Sequence, residues 1–310
     1  MQTITTPQVI PKALIVEGGG MGGVFAAGVL DAFHDKRFRP FQAYYGSSAG
    51  AINLTYFLSG QRGRNLEIYS QLSQDAAFIS FSRFLKRERL FDFDAFFERI
   101  QQQHSFHLPR LRQTLSSSQF YAVTTCLDDD SPSYLSIGTT TGPQRLLQVL
   151  KASCALPMIY RDSVTVDGQI HMDGSLSDPL PVIQALADGF KDITLIRTRP
   201  VDRKKKASTS DRLLAWQYRN QPAVSQMIRR QHCVYNRGLD DLSALELRPD
   251  VNLFQVAPKK TLSTGHYSRN RAALVADYHQ GYTEGYAFVE KLTKPLKKAS
   301  PSSAKLIESS

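Results

Sequence analysis

Three cysteines among 310 residues, Cys126, Cys154 and Cys233, are odd in number and widely spaced, with no Cys-x-x-Cys pair. This scarcity excludes a disulfide framework and favours free thiols in a reducing compartment. No apolar run approaches the roughly 18 residues that a membrane-spanning helix needs. Met1 to Pro11 lack a basic stretch followed by an apolar core, so no secretory signal is expected and the chain reads as cytoplasmic. Zinc-finger, RNA-binding and helix-turn-helix signatures are missing, which argues against nucleic acid as a partner. His104-Ser105-Phe106-His107 has two imidazoles without a carboxylate pattern beside them, so no metal site is expected. Acidic residues are also in deficit, giving a formal net charge of +10.

Hydrophobic content of 42% and charged content of 21% describe a globular chain, long enough for one large α/β domain or one domain plus an appendage. The positive charge is uneven. Arg197, Arg199, Arg203, Lys204, Lys205, Lys206, Arg212, Arg219, Arg229 and Arg230 form a tract diluted only by Asp202 and Asp211. Such a tract is either a solvated surface or a patch that steers the protein to an anionic membrane. Leu213, Leu214, Trp216 and Met227 give the helices expected there a partial apolar face.

Ala13-Leu14-Ile15-Val16-Glu17 is a short apolar run of buried-strand type, and it opens into Gly18-Gly19-Gly20-Met21-Gly22-Gly23. Val24 to Phe33 then shows helical spacing. A second strand, Phe41 to Tyr45, turns through Gly46-Ser47-Ser48-Ala49-Gly50 into an apolar helix, Ala51 to Leu58. This alternation of strand, loop and helix implies a parallel sheet. Gly-x-Ser-x-Gly between a strand and a helix is the pattern of a nucleophile elbow, and its register selects Ser48. A serine-capped turn of small residues is the plainer alternative.

Gly18, Gly20 and Gly23 also fit the dinucleotide fingerprint, which requires an acidic residue ending the second strand. Phe41 to Tyr45 carries none, and Asp31 and Asp35 fall in the preceding helix, which argues against a dinucleotide-dependent oxidoreductase and leaves it the lesser alternative. The same backbone amides serve another anion, the oxyanion of an acyl-transfer intermediate. Further on, Gln119 to Leu127 and Ser133 to Gly138 read as strands around an acidic turn. Gln144 to Ala152 reads as a helix, and Val164 to Asp173 as a hairpin with Asp167-Gly168 at its tip. Asp173-Gly174-Ser175 follows the return strand. Phe78, Phe81, Phe84, Phe91, Phe93, Phe96 and Phe97 crowd one segment, either as a cap lining an acyl channel or as a second patch of core.

Taken together, these motifs resemble the patatin-like phospholipase family, closest to its bacterial single-domain members. The resemblance covers about residues 13–198 and rests on three ordered signatures. They are the glycine loop Gly18 to Gly23, the elbow Gly46 to Gly50, and Asp173-Gly174-Ser175. Ala152-Ser153-Cys154-Ala155-Leu156-Pro157 is similar to the family's small-residue segment ending in Leu-Pro. The resemblance implies a three-layer α/β/α fold around a mostly parallel sheet, with a helical cap and a C-terminal helical extension. It implies a Ser-Asp dyad hydrolysing lipid esters of the phospholipid or lysophospholipid kind, with Ser48 as nucleophile and Asp173 as proton acceptor. Backbone amides of Gly19 and Gly20 would form the oxyanion hole, and no cofactor or metal would be needed.

Two positions depart from the family pattern. Gly22 stands where the family usually has Arg or Lys, which removes a cation beside the oxyanion loop and leaves a weakly active or inactive lipid-binding or regulatory member as the alternative, and Ser175 replaces Gly or Ala. His171 is read as structural, taken to face away from Asp173. The expected organisation is a lead-in over 1–12, the lipase-like domain over 13–198, an extension over 199–292 packed on it, and a disordered tail over 293–310. Asp192 to Thr198, before the extension, and Asn252 to Ala257, within it, read as strands. Arg269 to Leu292 reads as a long helix softly interrupted by Gly281 and Gly285. Nothing in the pattern sets an oligomeric state.

Overall fold

In the computed structural model, which describes residues 12–75, 93–157, 160 and 163–294, the first two strands feed two different cores. β1 (Lys12–Val16) pairs in parallel with β2 (Ala43–Ser47). Leu14, Val16 and Tyr44 enter one hydrophobic cluster, while Ala13, Ile15, Ala43 and Tyr45 enter another on the opposite face. Successive strand residues point to opposite sides, so burial on both faces turns alternation into a continuous apolar run.

The remaining strands are β3 (Gln119–Cys126), β4 (Ser131–Ile137), β5 (Val164–Val166), β6 (Gln169–Asp173), β7 (Asp192–Ile196) and β8 (Asn252–Val256). They form one sheet in the order β5-β6-β3-β2-β1-β7-β8, with β4 also on β3. β3, β2, β1, β7 and β8 run parallel, and β4, β5 and β6 join antiparallel. The helices are α1 (Val24–Asp35), α2 (Ala49–Leu58), α3 (Arg64–Gln74), α4 (Phe93–Gln103), α5 (Leu108–Leu115), α6 (Pro143–Ser153), α7 (Val182–Ala187), α8 (Thr209–Gln217), α9 (Pro222–Glu246) and α10 (Arg271–Thr293). α1, α2 and α10 contribute to the first cluster, and α7 and α9 to the second. Helices therefore cover both faces of a mostly parallel sheet, the expected α/β/α layering.

Gly281 and Gly285 do not interrupt α10, which is continuous. They are where it crosses α1 at backbone contact. A Cβ on Gly281 would lie 2.0 Å from the Phe25 carbonyl oxygen, and one on Gly28 would lie 2.1 Å from that of Tyr278. The buried Asp31 of α1 ties the crossing together, accepting from the Tyr278 hydroxyl at 2.8 Å and from the Gly63 N–H at 3.1 Å. Burial drives the Asp31 carboxyl above its ordinary pKa, and the Tyr278 bond opposes that rise.

The basic tract differs from expectation. Residues 199–208 are an irregular segment, and helices begin only at α8 and α9. Met227 packs inward, but Leu213 and Trp216 are exposed, 60% and 56%. The lead-in over 1–11, the aromatic stretch through Phe78, Phe81, Phe84 and Phe91, and the tail from 295 onward lie outside the described residues. Phe96 and Phe97 are buried.

Candidate active site

Ser48 stands between β2 and α2 with φ 54° and ψ −128°. A non-glycine residue held at positive φ stores about 1–3 kcal/mol of strain, which surrounding contacts must enforce. Gly50 lets the elbow press onto β1, for a Cβ there would sit 2.2 Å from the Val16 carbonyl oxygen. From the other side, the Ser48 N–H donates to the Ser153 hydroxyl at 2.9 Å, and that hydroxyl donates to the Val123 carbonyl at 2.7 Å. The turn is thus fixed by β1, β3 and the end of α6.

Strand register brings in the aspartate. β3 pairs with β2 as far as Val123 opposite Ser47, and with β6 from Thr124 opposite Asp173. One residue along β3 therefore carries the chain from the elbow to Asp173. The carboxylate is 1% exposed and accepts from the Ser175 N–H at 2.8 Å. Burial raises its pKa, and hydrogen bonds from Ser175, through both N–H and hydroxyl, and from the Ser48 hydroxyl pull partly back. Ser175, a departure in the sequence pattern, thus sets beside the carboxylate a hydroxyl that Gly or Ala lacks. Cys154 also adjoins Ser48, but burial and the nearby Asp173 charge keep its thiol well above the ordinary range. A thiol held neutral in this way is a poor nucleophile, because the thiolate is the reactive form.

The glycine loop follows β1 directly. The buried Glu17 accepts from the Thr198 N–H at 2.7 Å, and the Thr198 hydroxyl donates to the Gly18 carbonyl at 2.8 Å, so the end of β7 holds the loop. The N–H groups of Gly19 and Gly20 have no acceptor among the described residues, whereas Met21 N–H donates to the His266 carbonyl at 3.3 Å. Gly20 takes φ 55°, and a Cβ on it would lie 2.8 Å from that same carbonyl oxygen. Gly22 is buried, and a Cβ on it would lie 3.5 Å from the Thr264 carbonyl oxygen and 3.7 Å from the Leu262 side chain. The segment over 262–266 therefore packs against this position at ordinary contact distance. Asp277 of α10 anchors that segment, accepting from Ser263 N–H at 3.2 Å and from Thr264 N–H and hydroxyl at 2.7 and 2.6 Å. Gly18, Gly46 and Gly174 each lie against neighbouring backbone, and Gly23 against the Tyr69 hydroxyl.

Two spaces meet at Ser48. One is a cleft of about 1120 Å³ shared by Gly18, Gly19, Gly20, Ser48 and Asp173, whose far wall is rich in lysine and arginine, Arg199, Lys204, Lys205 and Lys259 among them. The other is a small pocket of about 70 Å³ lined by Ile52, Ile68, Tyr69, Leu72 and Phe96. His266 borders both. Its ring is half-buried, and burial together with the Arg199 and Lys205 charges pushes its pKa down to about 4. Lys205 is itself pushed down to about 8, first by burial and then by Arg199.

Ser48, Asp173, Gly19 and Gly20 therefore come together from three separate stretches. Glu17, Thr198 and His266 carry no motif that marks them, Ser153 lies in the small-residue segment without being singled out by it, and all four act on the site through backbone contacts. His171 needs a correction of reason. Residues two apart in a strand share a face, so it does not alternate away from Asp173. It is nonetheless fully buried, beside the Thr124 hydroxyl at 3.1 Å, and lines neither space. Among the described residues no group of three His, Cys, Asp or Glu side chains is placed to hold a metal, and no helix is long and apolar enough to cross a membrane.

The chain is 30% identical over 299 residues to the uncharacterized protein YjjU of Escherichia coli (strain K12), covering 95% of this chain and 82% of that protein. The crystal structure of VipD from Legionella pneumophila is 14% identical, with a TM-score of 0.46 over 91% of this chain and 67% of that one, too distant to inform the chemistry. A domain of unknown function, DUF6363, matches residues 221–297. The patatin-like phospholipase model matches residues 14–186, which span β1, the glycine loop, the elbow and Asp173. The chain belongs to the patatin-like phospholipase family.

Proposed function

We propose that this protein is a serine acyl hydrolase that cleaves carboxylic esters of phospholipids or lysophospholipids through a Ser48–Asp173 dyad. The observation that carries the reading is a strained serine sharing one cleft with a buried carboxylate whose pKa its hydroxyl lowers, beside two glycine N–H groups without an acceptor among the described residues. Ser48 Oγ attacks the ester carbonyl carbon while Asp173 accepts its proton. The N–H groups of Gly19 and Gly20 hold the oxyanion of the tetrahedral intermediate. Collapse expels the alcohol, which takes the proton from Asp173 and leaves an acyl-Ser48 ester. Asp173 then deprotonates a water that attacks this ester, releasing the fatty acid and restoring the serine. The raised pKa of Asp173 suits it to both transfers, since a carboxylate is a better base when its neutral form is favoured. The apolar pocket behind Ser48 takes the start of the acyl chain.

Peripheral contact with an anionic membrane belongs to the same reading. Exposed Leu213 and Trp216 on α8, with Arg219 stacked 4.6 Å from the Trp216 ring, combine apolar and basic groups near the cleft. Aromatic and cationic side chains of this kind sit at bilayer interfaces.

An active-site fluorophosphonate should label the wild type, and Ser48→Ala should abolish labelling. Label retained in Ser48→Ala would sink the assignment of the nucleophile. Absence of both labelling and turnover on phospholipid, lysophospholipid and short-chain esters would instead leave a lipid-binding member without activity.

A further inference from the structure

The far wall of the cleft concentrates positive charge on a built framework. The Lys205 backbone is bracketed by Asn236 of α9, which accepts from the Lys205 N–H at 2.8 Å and donates to its carbonyl at 2.9 Å. The Lys205 ammonium lies 5.3 Å from the centre of the buried Tyr235 ring, and the Arg199 guanidinium lies 5.3 Å from the same ring. Two cations are thus gathered on one aromatic surface. Beneath them the fully buried Arg197 donates to the Val201 carbonyl at 2.9 Å and fixes the start of the segment.

Neutralisation of this pair is incomplete. Glu17 approaches Arg199 only to 4.0 Å, through Oε1, while its Oε2 accepts from the Thr198 N–H. Lys205 has no carboxylate within ion-pair distance among the described residues. By contrast, Lys204 pairs with Asp240 and Lys259 with Glu284. Like charges held together away from bulk water repel, and the repulsion adds to burial in depressing the pKa values of Lys205 and His266. An anion between them would relieve it. The Gly22 position carries no cation, so charge for such an anion comes from this wall.

We propose that Arg199 and Lys205, gathered on Tyr235 in the cleft that holds Ser48, bind the phosphate of an anionic glycerophospholipid substrate. The proposal rests on the ester-hydrolase reading. The lipid lies across the elbow, its head-group phosphate on the cationic wall and its scissile acyl chain towards Ile52, Ile68 and Leu72. A planar guanidinium beside an ammonium offers directed and point-charge donors to phosphate oxygens. A net negative head group is selected over a zwitterionic one, whose own cation would face Arg199 and Lys205.

The test separates binding from turnover. Ser48→Ala protein is titrated with monomeric short-chain phosphatidic acid, short-chain phosphatidylcholine and inorganic phosphate. Phosphatidic acid should bind most tightly, inorganic phosphate should compete with it, and Lys205→Met in the same background should weaken it about tenfold, the loss of one charge-assisted contact. In the Ser48 protein, the ratio of kcat/KM for anionic over zwitterionic lipid should fall about tenfold with Lys205→Met. That ratio should hold with Lys191→Met, a change at an exposed residue paired with Asp250. Equal binding of both lipids, or binding indifferent to Lys205→Met, overturns the phosphate site. Inorganic phosphate binding as tightly as phosphatidic acid overturns the lipid assignment. Selective, Lys205-dependent binding in a protein that never turns over supports the site and removes the hydrolase reading beneath it.

Discussion

Ser48 and Lys205 line one cleft and are held there by opposite means. Ser48 is placed by backbone: strand register, a glycine pressed onto β1, and a donated N–H. Lys205 has its main chain fixed by Asn236, yet its ammonium hangs on a flexible stem over Tyr235. The first arrangement tolerates almost no displacement, which is what covalent chemistry at a carbonyl requires. The second tolerates adjustment, which suits a charge that must meet head groups of differing shape. Substitutions on the elbow side should therefore strike kcat or the fold itself, and substitutions on the cationic side should strike substrate binding.

The sharpest break in this contrast is Asp173→Asn. The amide oxygen still accepts from Ser175 N–H, so the fold should survive, but the proton acceptor is gone. We expect kcat to fall about 10³-fold, the scale of lost general-base catalysis, with KM little changed. Steady-state kinetics on a short-chain ester measure it, and a loss confined to KM would contradict the dyad.

Gly50→Ala probes the backbone side. The added methyl would meet the Val16 carbonyl at 2.2 Å, between two elements that cannot part without opening the sheet. A cost of about 3 kcal/mol follows from overpacking at a site unable to relax. Denaturant midpoints report it, and a variant of unchanged stability would show that the elbow is not pinned by β1.

Asp277→Asn acts between the two sides, because Asp277 anchors the segment that covers Gly22 and carries His266. Its carboxylate accepts three donors from Ser263 and Thr264. An amide can match only part of that set, and about 2 kcal/mol should be lost. Hydrogen exchange should quicken over 262–267 while β1 and β2 stay protected; uniform quickening would mean that the segment is no separate unit.

His266 gives a smaller effect with a defined sign. Its pKa is about 4 in the folded protein, against an ordinary 6.5. Between those values the unfolded chain binds a proton that the native state refuses, so stability falls as pH drops from 6.5 towards 4. The half-buried ring discounts the effect to on the order of 1 kcal/mol. His266→Gln should remove that part of the slope. Identical stability–pH curves for variant and wild type would contradict a neutral histidine beside Arg199 and Lys205.

The elbow, glycine loop and Asp173 were legible because each is a short motif whose glycines serve contacts with its own or adjoining strands. Their supports were not. Thr198 and Asp277 reach the site across long sequence separations, and no local pattern marks a residue that only holds another's backbone; Ser153 stood in a recognisable segment that did not say what its hydroxyl holds. Gly22 read alone as a missing cation, since only tertiary structure shows 262–266 lying across it. Gly281 read as a weak point in a helix for the same reason, although it is the contact that lets α10 close on α1. Leu213 and Trp216 had helical spacing but face outward, because periodicity defines a face without saying what covers it.

Ser175 offers the finest discrimination between the two walls. Its hydroxyl and N–H both stabilise the Asp173 carboxylate against the rise caused by burial. Ser175→Ala removes the hydroxyl and leaves the N–H, so the folded-state pKa of Asp173 should climb further. The base is active only when deprotonated, so activity falls as pH drops through that pKa. The acid limb of kcat/KM should already lie above the ordinary carboxylate value of about 4, and Ser175→Ala should move it further up. Lys205→Met should also move it upward, though less, since the lysine charge is the weaker of the influences holding that pKa down. A limb unmoved by Ser175→Ala would mean that the titrating base is not Asp173, even if Asp173→Asn is inactive.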